Sequence, residues 1–190
     1  MPRRNQEFQP GGYYHIYNRG ASGGVVFFGD ADYIACLRRI KVYAGQYQVA
    51  VIAYCLMPTH YHFLLRQEGD TPISKFIGVL FNAYAQSVNL RHQRSGALFE
   101  SRFKHRPVLE EAYLVQLCRY IHANPVKDGL VTDLNDWLYS NYPEWLGMRS
   151  GVLVDRDFVQ TYFPTPAAYR AFVAEYLVER RLPPGLDYLE

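Results

Sequence analysis

His60 and His62 stand one residue apart in "MPTHYHFLLR" (57–66), inside an apolar run of a chain that has only six histidines. Side chains on a strand alternate between faces, so His60, His62 and Leu64 would share one face and Tyr61, Phe63 and Leu65 the other. Two neutral imidazoles side by side are half of a divalent metal site. Two hydrogen-bonded histidines in a sheet satisfy the same spacing. The pair therefore needs a third group from elsewhere.

One source is "EEAYLVQLCRYIHANP" (110–125). At helical spacing Leu114, Leu117, Cys118 and Ile121 form the stripe that must face a core. Tyr113, Tyr120 and Asn124 fall on one flank of it, and Tyr120 and Asn124 project from successive turns. A boundary tyrosine followed by a helix-ending asparagine would look the same. A second chemistry-bearing stretch is "RHQRSGALFESRFKHR" (91–106). It holds Arg91, Arg94, Arg102, Lys104 and Arg106 against a single acid, Glu100, with His92, Phe99, Phe103 and His105 interleaved. Phosphates attract Arg and Lys, and unstacked bases pack on flat side chains, so the stretch suits single-stranded nucleic acid. A solvated basic loop is the plainer alternative.

The elements that must position these residues follow from pattern and punctuation. "GGYYHIYNRG" (11–20) reads as a strand closed by glycines. Asp30 or Asp32 caps a helix over 31–45. "YQVAVIAYCLM" (47–57) is apolar on both faces, which predicts a central strand. A Pro-Thr turn leads into the histidine strand, 60–66. Asp70-Thr71-Pro72 starts a helix running to about 91. A short strand near 103–109 precedes the helix that opens at Glu110-Glu111 and ends at Asn124-Pro125. "DWLYSNYPEWLG" is an irregular aromatic segment, and Thr165-Pro166 starts a last amphipathic helix carrying Tyr169, Phe172, Val173, Tyr176 and Leu177. The order β-α-β-β-α-β predicts an α+β, ferredoxin-like split βαβ fold. Its four-stranded antiparallel sheet would carry helices on one face and a C-terminal helical extension.

Composition narrows the class. With 190 residues, 49% hydrophobic and 20% charged, the chain can bury a full core and is not disordered. No apolar stretch approaches the ~18 residues of a membrane span. "MPRRNQEFQPGG" lacks an apolar region behind its basic residues, so no secretory signal is expected. Cys36, Cys55 and Cys118 read as reduced core thiols of a cytoplasmic protein. Residues 1–132 hold 15 Lys and Arg against 9 Asp and Glu, a charge of +6; residues 133–190 hold 5 against 9, a charge of −4. A basic body with an acidic end is compatible with a polyanionic partner.

Taken together, "NRG" (18–20), "MPTHYHFLL" (57–65), "GALFESRFK" (96–104), "YIHANPVKDGLV" (120–131) and "WLYSNYPEWLG" (137–147) resemble the single-tyrosine HUH transposases of the insertion-sequence type. The resemblance is greatest to the REP-associated tyrosine transposases. It implies a catalytic domain over 1–147, with 148–190 as the extension. It implies that His60 and His62 hold a divalent cation, Mg²⁺ or Mn²⁺, that Tyr120 is the nucleophile, and that Asn124 completes the metal shell where other branches have a glutamine. Attack of Tyr120 on single-stranded DNA near hairpins would leave a 5′-phosphotyrosine. Arg91, Arg94, Phe99, Arg102, Phe103, Lys104 and Arg106 would line the DNA, and the protein would act as a monomer or homodimer. A DNA-binding descendant without turnover and a His-metal hydrolase are the competing classes.

Overall fold

A computed structural model of the chain describes residues 8–182, 186 and 188. The first seven residues of the segment read for a secretory signal, and parts of the end of the extension, lie outside the described residues. The strands are β1 (Tyr13–Arg19), β2 (Val49–Leu56), β3 (His60–Gln67) and β4 (Lys104–Val108). The helices are α1 (Asp30–Gln46), α2 (Ile73–Arg91), α3 (Glu111–Lys127), α4 (Tyr142–Trp145), α5 (Arg156–Tyr162) and α6 (Pro166–Glu179). The sheet order is β2-β3-β1-β4 with every neighbour antiparallel, the split βαβ arrangement expected from the element order.

Helices cover both faces of this sheet, not one. Ile16, Val51, Phe63 and Leu65 pack with Cys36 and Ile40 of α1 and Phe76, Leu80 and Tyr84 of α2. Ile52, Cys55 and Leu64 pack with Leu114, Leu117, Cys118 and Ile121 of α3, and Tyr169, Val173 and Tyr176 of α6 join that same layer. The cause lies in β2 and β3, which carry apolar side chains on alternate positions of both faces and so require cover on both. The three cysteines are buried and free.

β2 is not central. It forms the outer strand of the sheet, yet seven of its eight residues are buried. The aromatic segment 137–145 closes its open side. Leu56 N donates to Tyr139 O at 2.9 Å, and Tyr54 N to Asn141 Oδ1 at 2.8 Å. The Trp137 and Trp145 indoles donate to Leu56 O and Ile52 O, each at 3.1 Å. Over residues 52–56 the outer backbone of β2 is thereby paired.

Two local expectations are corrected. Asp30 and Asp32 do not cap α1: Gly29 holds that position without a side-chain bond, and buried Asp32 instead meets Arg91 and His92. Nor does Pro125 end α3, which continues to Lys127 with the proline inside. Proline supplies no N–H to the Ile121 carbonyl. The Asn124 side chain compensates, its Nδ2 donating to Tyr120 O at 2.8 Å and reaching Ile121 O at 3.4 Å. Thr165 caps α6 as expected, accepting from Ala168 N.

Candidate active site

Residues directly opposed across antiparallel strands share a face. Tyr17 lies opposite His62 and Arg19 opposite His60, while His15 lies opposite Leu64. On the other side of β1, Lys104 lies opposite Tyr17 and Arg106 opposite His15. His15, Tyr17, His60, His62, Lys104 and Arg106 therefore share one face, the one α3 packs on. The His60 and His62 rings stand 5.2 Å apart at 83°. The C-terminal half of α3 brings the Tyr120 ring against His62, centroids 5.6 Å apart and planes at 90°.

Both paired histidines are held through Nδ1. Thr59 Oγ1 lies 3.1 Å from His60 Nδ1, and His15 Nε2 lies 3.0 Å from His62 Nδ1. Nε2 is thus the ring nitrogen left for a cation. His60 Nε2 stands 3.9 Å from Asp128 Oδ2. Burial drives the His62 pKa well below its ordinary value, with His15, His60 and Lys127 adding to the effect. Burial also lowers His60, against the raising influence of Asp128 and of a side-chain hydrogen bond to Asn124. Both imidazoles are consequently neutral at neutral pH, the state a ligand needs.

Tyr120 is 4% exposed. Burial, then the neighbouring Tyr176 and Asp128, raises its pKa, so the phenol is protonated here. The Lys127 ammonium sits 4.8 Å from its ring centroid. Asn124 faces two ways: its NH₂ donates to Tyr120 O and reaches Ile121 O within α3, and its side chain lies near enough to His60 to raise that ring's pKa.

The basic stretch divides. Lys104 lies over Tyr17 at 6.0 Å and Arg106 over the Tyr188 ring at 5.2 Å, both beside the histidines. Arg102 is exposed at the approach to β4. Phe103 packs against the opposite core layer, and Phe99 sits edge-on to Phe81 and Tyr61 within it. Arg91 is bound to Asp32 at 2.5 Å, and Arg94 lies over Phe28 at 5.0 Å, both away from the histidine face. The sequence reading missed His15, Tyr17, Arg19, Lys127 and Asp128. The alternation in "YYHIYNR" already put His15 and Tyr17 on one face; only the register against β3 brings that face to His62.

A split βαβ sheet with a histidine pair on an inner strand and a helix tyrosine facing it defines the class of single-tyrosine HUH nucleases. The chain belongs to the IS200-like transposase family, whose sequence model matches residues 10–124. It is 27% identical over 122 residues to a Haemophilus influenzae protein named as a REP-associated tyrosine transposase, covering 58% of this chain and 69% of that one. A solved structure of a REP-associated tyrosine transposase bound to a REP hairpin shares the fold, with a TM-score of 0.66 at 17% identity over 82% of this chain and 94% of that chain. Among the described residues, no helix is long and apolar enough to cross a membrane.

Proposed function

We propose that the chain is a DNA nicking and joining transposase that uses Tyr120 to cleave single-stranded DNA beside hairpins, with a divalent cation, Mg²⁺ or Mn²⁺, held by His60, His62 and Asn124. The observation that carries this reading is the contact of the Tyr120 ring with His62 on the face that also bears His60. The donor set fits a hard or borderline cation: two neutral imidazoles anchored at Nδ1 and an amide one helical turn beyond the tyrosine. Among the described residues no group of three or more His, Cys, Asp and Glu is arranged for a metal; the nearness of the Asn124 side chain to His60 supports the amide as third ligand. When bound, the cation would polarise a non-bridging phosphate oxygen and stabilise charge in the transition state.

The residues of the chain do the rest. Lys104 and Arg106, with Arg102 at the strand entrance, neutralise the DNA backbone, and Tyr17 offers a flat face beside His62. Tyr120 Oη bonds to phosphorus as the P–O3′ bond breaks; the phenol proton passes to solvent, and the departing O3′ takes a proton from solvent to leave as a 3′-hydroxyl. The 5′-phosphotyrosine conserves the bond energy, so rejoining is the same step reversed. The hairpin preference rests on the REP hairpin of the solved relative. Beyond the catalytic domain, α6 of the extension covers α3, and the cytoplasm is the compartment where such DNA is met.

The test is a denaturing gel of protein incubated with end-labelled single-stranded hairpin DNA and Mn²⁺. A shifted protein–DNA adduct is expected with wild type and none with Tyr120→Phe, whose DNA affinity should stay within about twofold because the basic face is untouched. An adduct that persists in Tyr120→Phe would overturn the assignment.

A further inference from the structure

His15 is the histidine of this site that the HxH spacing does not announce. It is fully buried, and its ring lies nearly parallel to His62, 5.2 Å away at 9°. Its Nε2 is 3.0 Å from His62 Nδ1, and its Nδ1 is 3.1 Å from the Tyr188 hydroxyl. A neutral imidazole has one N–H and one lone pair, so the three side chains cannot place their hydrogens independently. If His62 gives its Nε2 lone pair to a cation, its hydrogen must sit on Nδ1. His15 Nε2 must then accept that hydrogen, and His15 Nδ1 must donate to Tyr188 Oη. The opposite arrangement puts a hydrogen on His62 Nε2, where it blocks the ligand position.

We propose that His15, backed by Tyr188, is the positioning residue that holds His62 in its metal-binding Nδ1–H form and fixes the plane of its ring. This rests on the metal-site reading above. Ligand histidines commonly depend on such an outer acceptor, and removing it typically weakens metal binding 10–100-fold. His15→Phe retains a flat ring but leaves the His62 Nδ1–H without an acceptor. His15→Gln retains an acceptor oxygen at similar reach. Tyr188→Phe removes only the far end of the relay.

The experiment follows bound Mn²⁺ by the loss of the free-ion electron paramagnetic resonance signal, without DNA, in wild type and the three variants. Circular dichroism checks that each is folded. His15→Phe should raise the Mn²⁺ dissociation constant at least tenfold, His15→Gln should recover most of the loss, and Tyr188→Phe should fall between wild type and His15→Phe. In ¹⁵N-labelled wild type saturated with Mg²⁺, long-range ¹H–¹⁵N spectra should place the His62 hydrogen on Nδ1. That measurement stands even where a variant fails to fold. A folded His15→Phe with wild-type Mn²⁺ affinity overturns the role of His15 alone, whereas a His62 hydrogen on Nε2 also removes His62 as a ligand and overturns the metal-site reading. Wild type that binds no Mn²⁺ overturns the metal-site reading and this proposal with it.

Discussion

Tyr120 meets His62 edge to face within a single chain, with ring centroids 5.6 Å apart. The contact exists because α3 crosses the sheet on the face where β3 turns its histidines, and α6 presses the tyrosine inward through Tyr176. Tyr120 and His62 thus meet without a second copy. Mixing two inactive proteins, Tyr120→Phe and His62→Ala, should therefore restore no covalent adduct on the denaturing gel. Adduct recovered toward a quarter of the wild-type level at equal total protein would mean that the helix serves a partner's histidines.

Asn124 meets both the α3 backbone and His60, and substitution separates the backbone contact from the proposed ligand role. Asn124→Ala removes the amide from the proline gap and leaves a buried carbonyl unpaired, costing about 1–3 kcal/mol of stability, and it should also raise the Mn²⁺ needed for cleavage. Asn124→Asp keeps an oxygen for the cation but brings a carboxylate against the Tyr120 carbonyl, 2.8 Å from the present Nδ2. It should lose stability as well, and regain more of it on adding Mn²⁺ than the alanine variant does. Melting curves with and without Mn²⁺ check this. Equal Mn²⁺ requirements in wild type and Asn124→Ala would remove Asn124 from the metal shell.

Charge removal should discriminate between the two halves of the basic stretch. Lys104→Gln and Arg106→Gln, on the histidine face, should each flatten the salt dependence of single-stranded DNA binding by about 0.7 in the log–log slope. Arg91→Gln should leave that slope alone and instead lower stability by about 1–3 kcal/mol, because Asp32 loses its guanidinium partner at 2.5 Å. Binding isotherms at several salt concentrations and urea melts provide both readouts. A slope change confined to Arg91→Gln would put the DNA on the α1–α2 side.

Buried neutral histidines should make the fold acid-sensitive. Burial lowers His15 to about 3 and His122 to about 4, from 6.5. Their folded pKa values lie below the unfolded one, so below that value the unfolded chain binds more protons. Their contribution is intact above about pH 6.5 and is lost as pH falls toward the folded values, by up to about 1.4 kcal/mol per pH unit for each ring. Urea midpoints measured at about pH 7.5, 6 and 5 should decline with increasing steepness. A constant midpoint across that range would contradict the burial of these rings.

What was readable from sequence divides by range. The helix and strand positions came from local periodicity and from Gly, Pro and Asp punctuation; α2 and β3 begin and end within a residue or two of expectation. The HxH pair was legible because its spacing is local. His15 was not, since its approach to His62 depends on a register between strands 47 residues apart. The continuation of α3 through Pro125 was hidden for a different reason: a proline ordinarily ends a helix, whereas here the Asn124 side chain reaches the carbonyl it leaves without a donor. The edge position of β2 was missed because burial was read as centrality, whereas Tyr139 and Asn141 bury that edge from far along the chain.

That covered edge also has a temporal side. During synthesis β2 leaves the ribosome long before the segment that shields it, for Asn141 lies 87 residues after Tyr54. At the usual ~5–20 residues per second, the wait is on the order of ten seconds. Through that interval an apolar ribbon with unpaired amides is open to any neighbouring nascent chain. Until residues 137–145 emerge, that edge can pair with any other exposed strand.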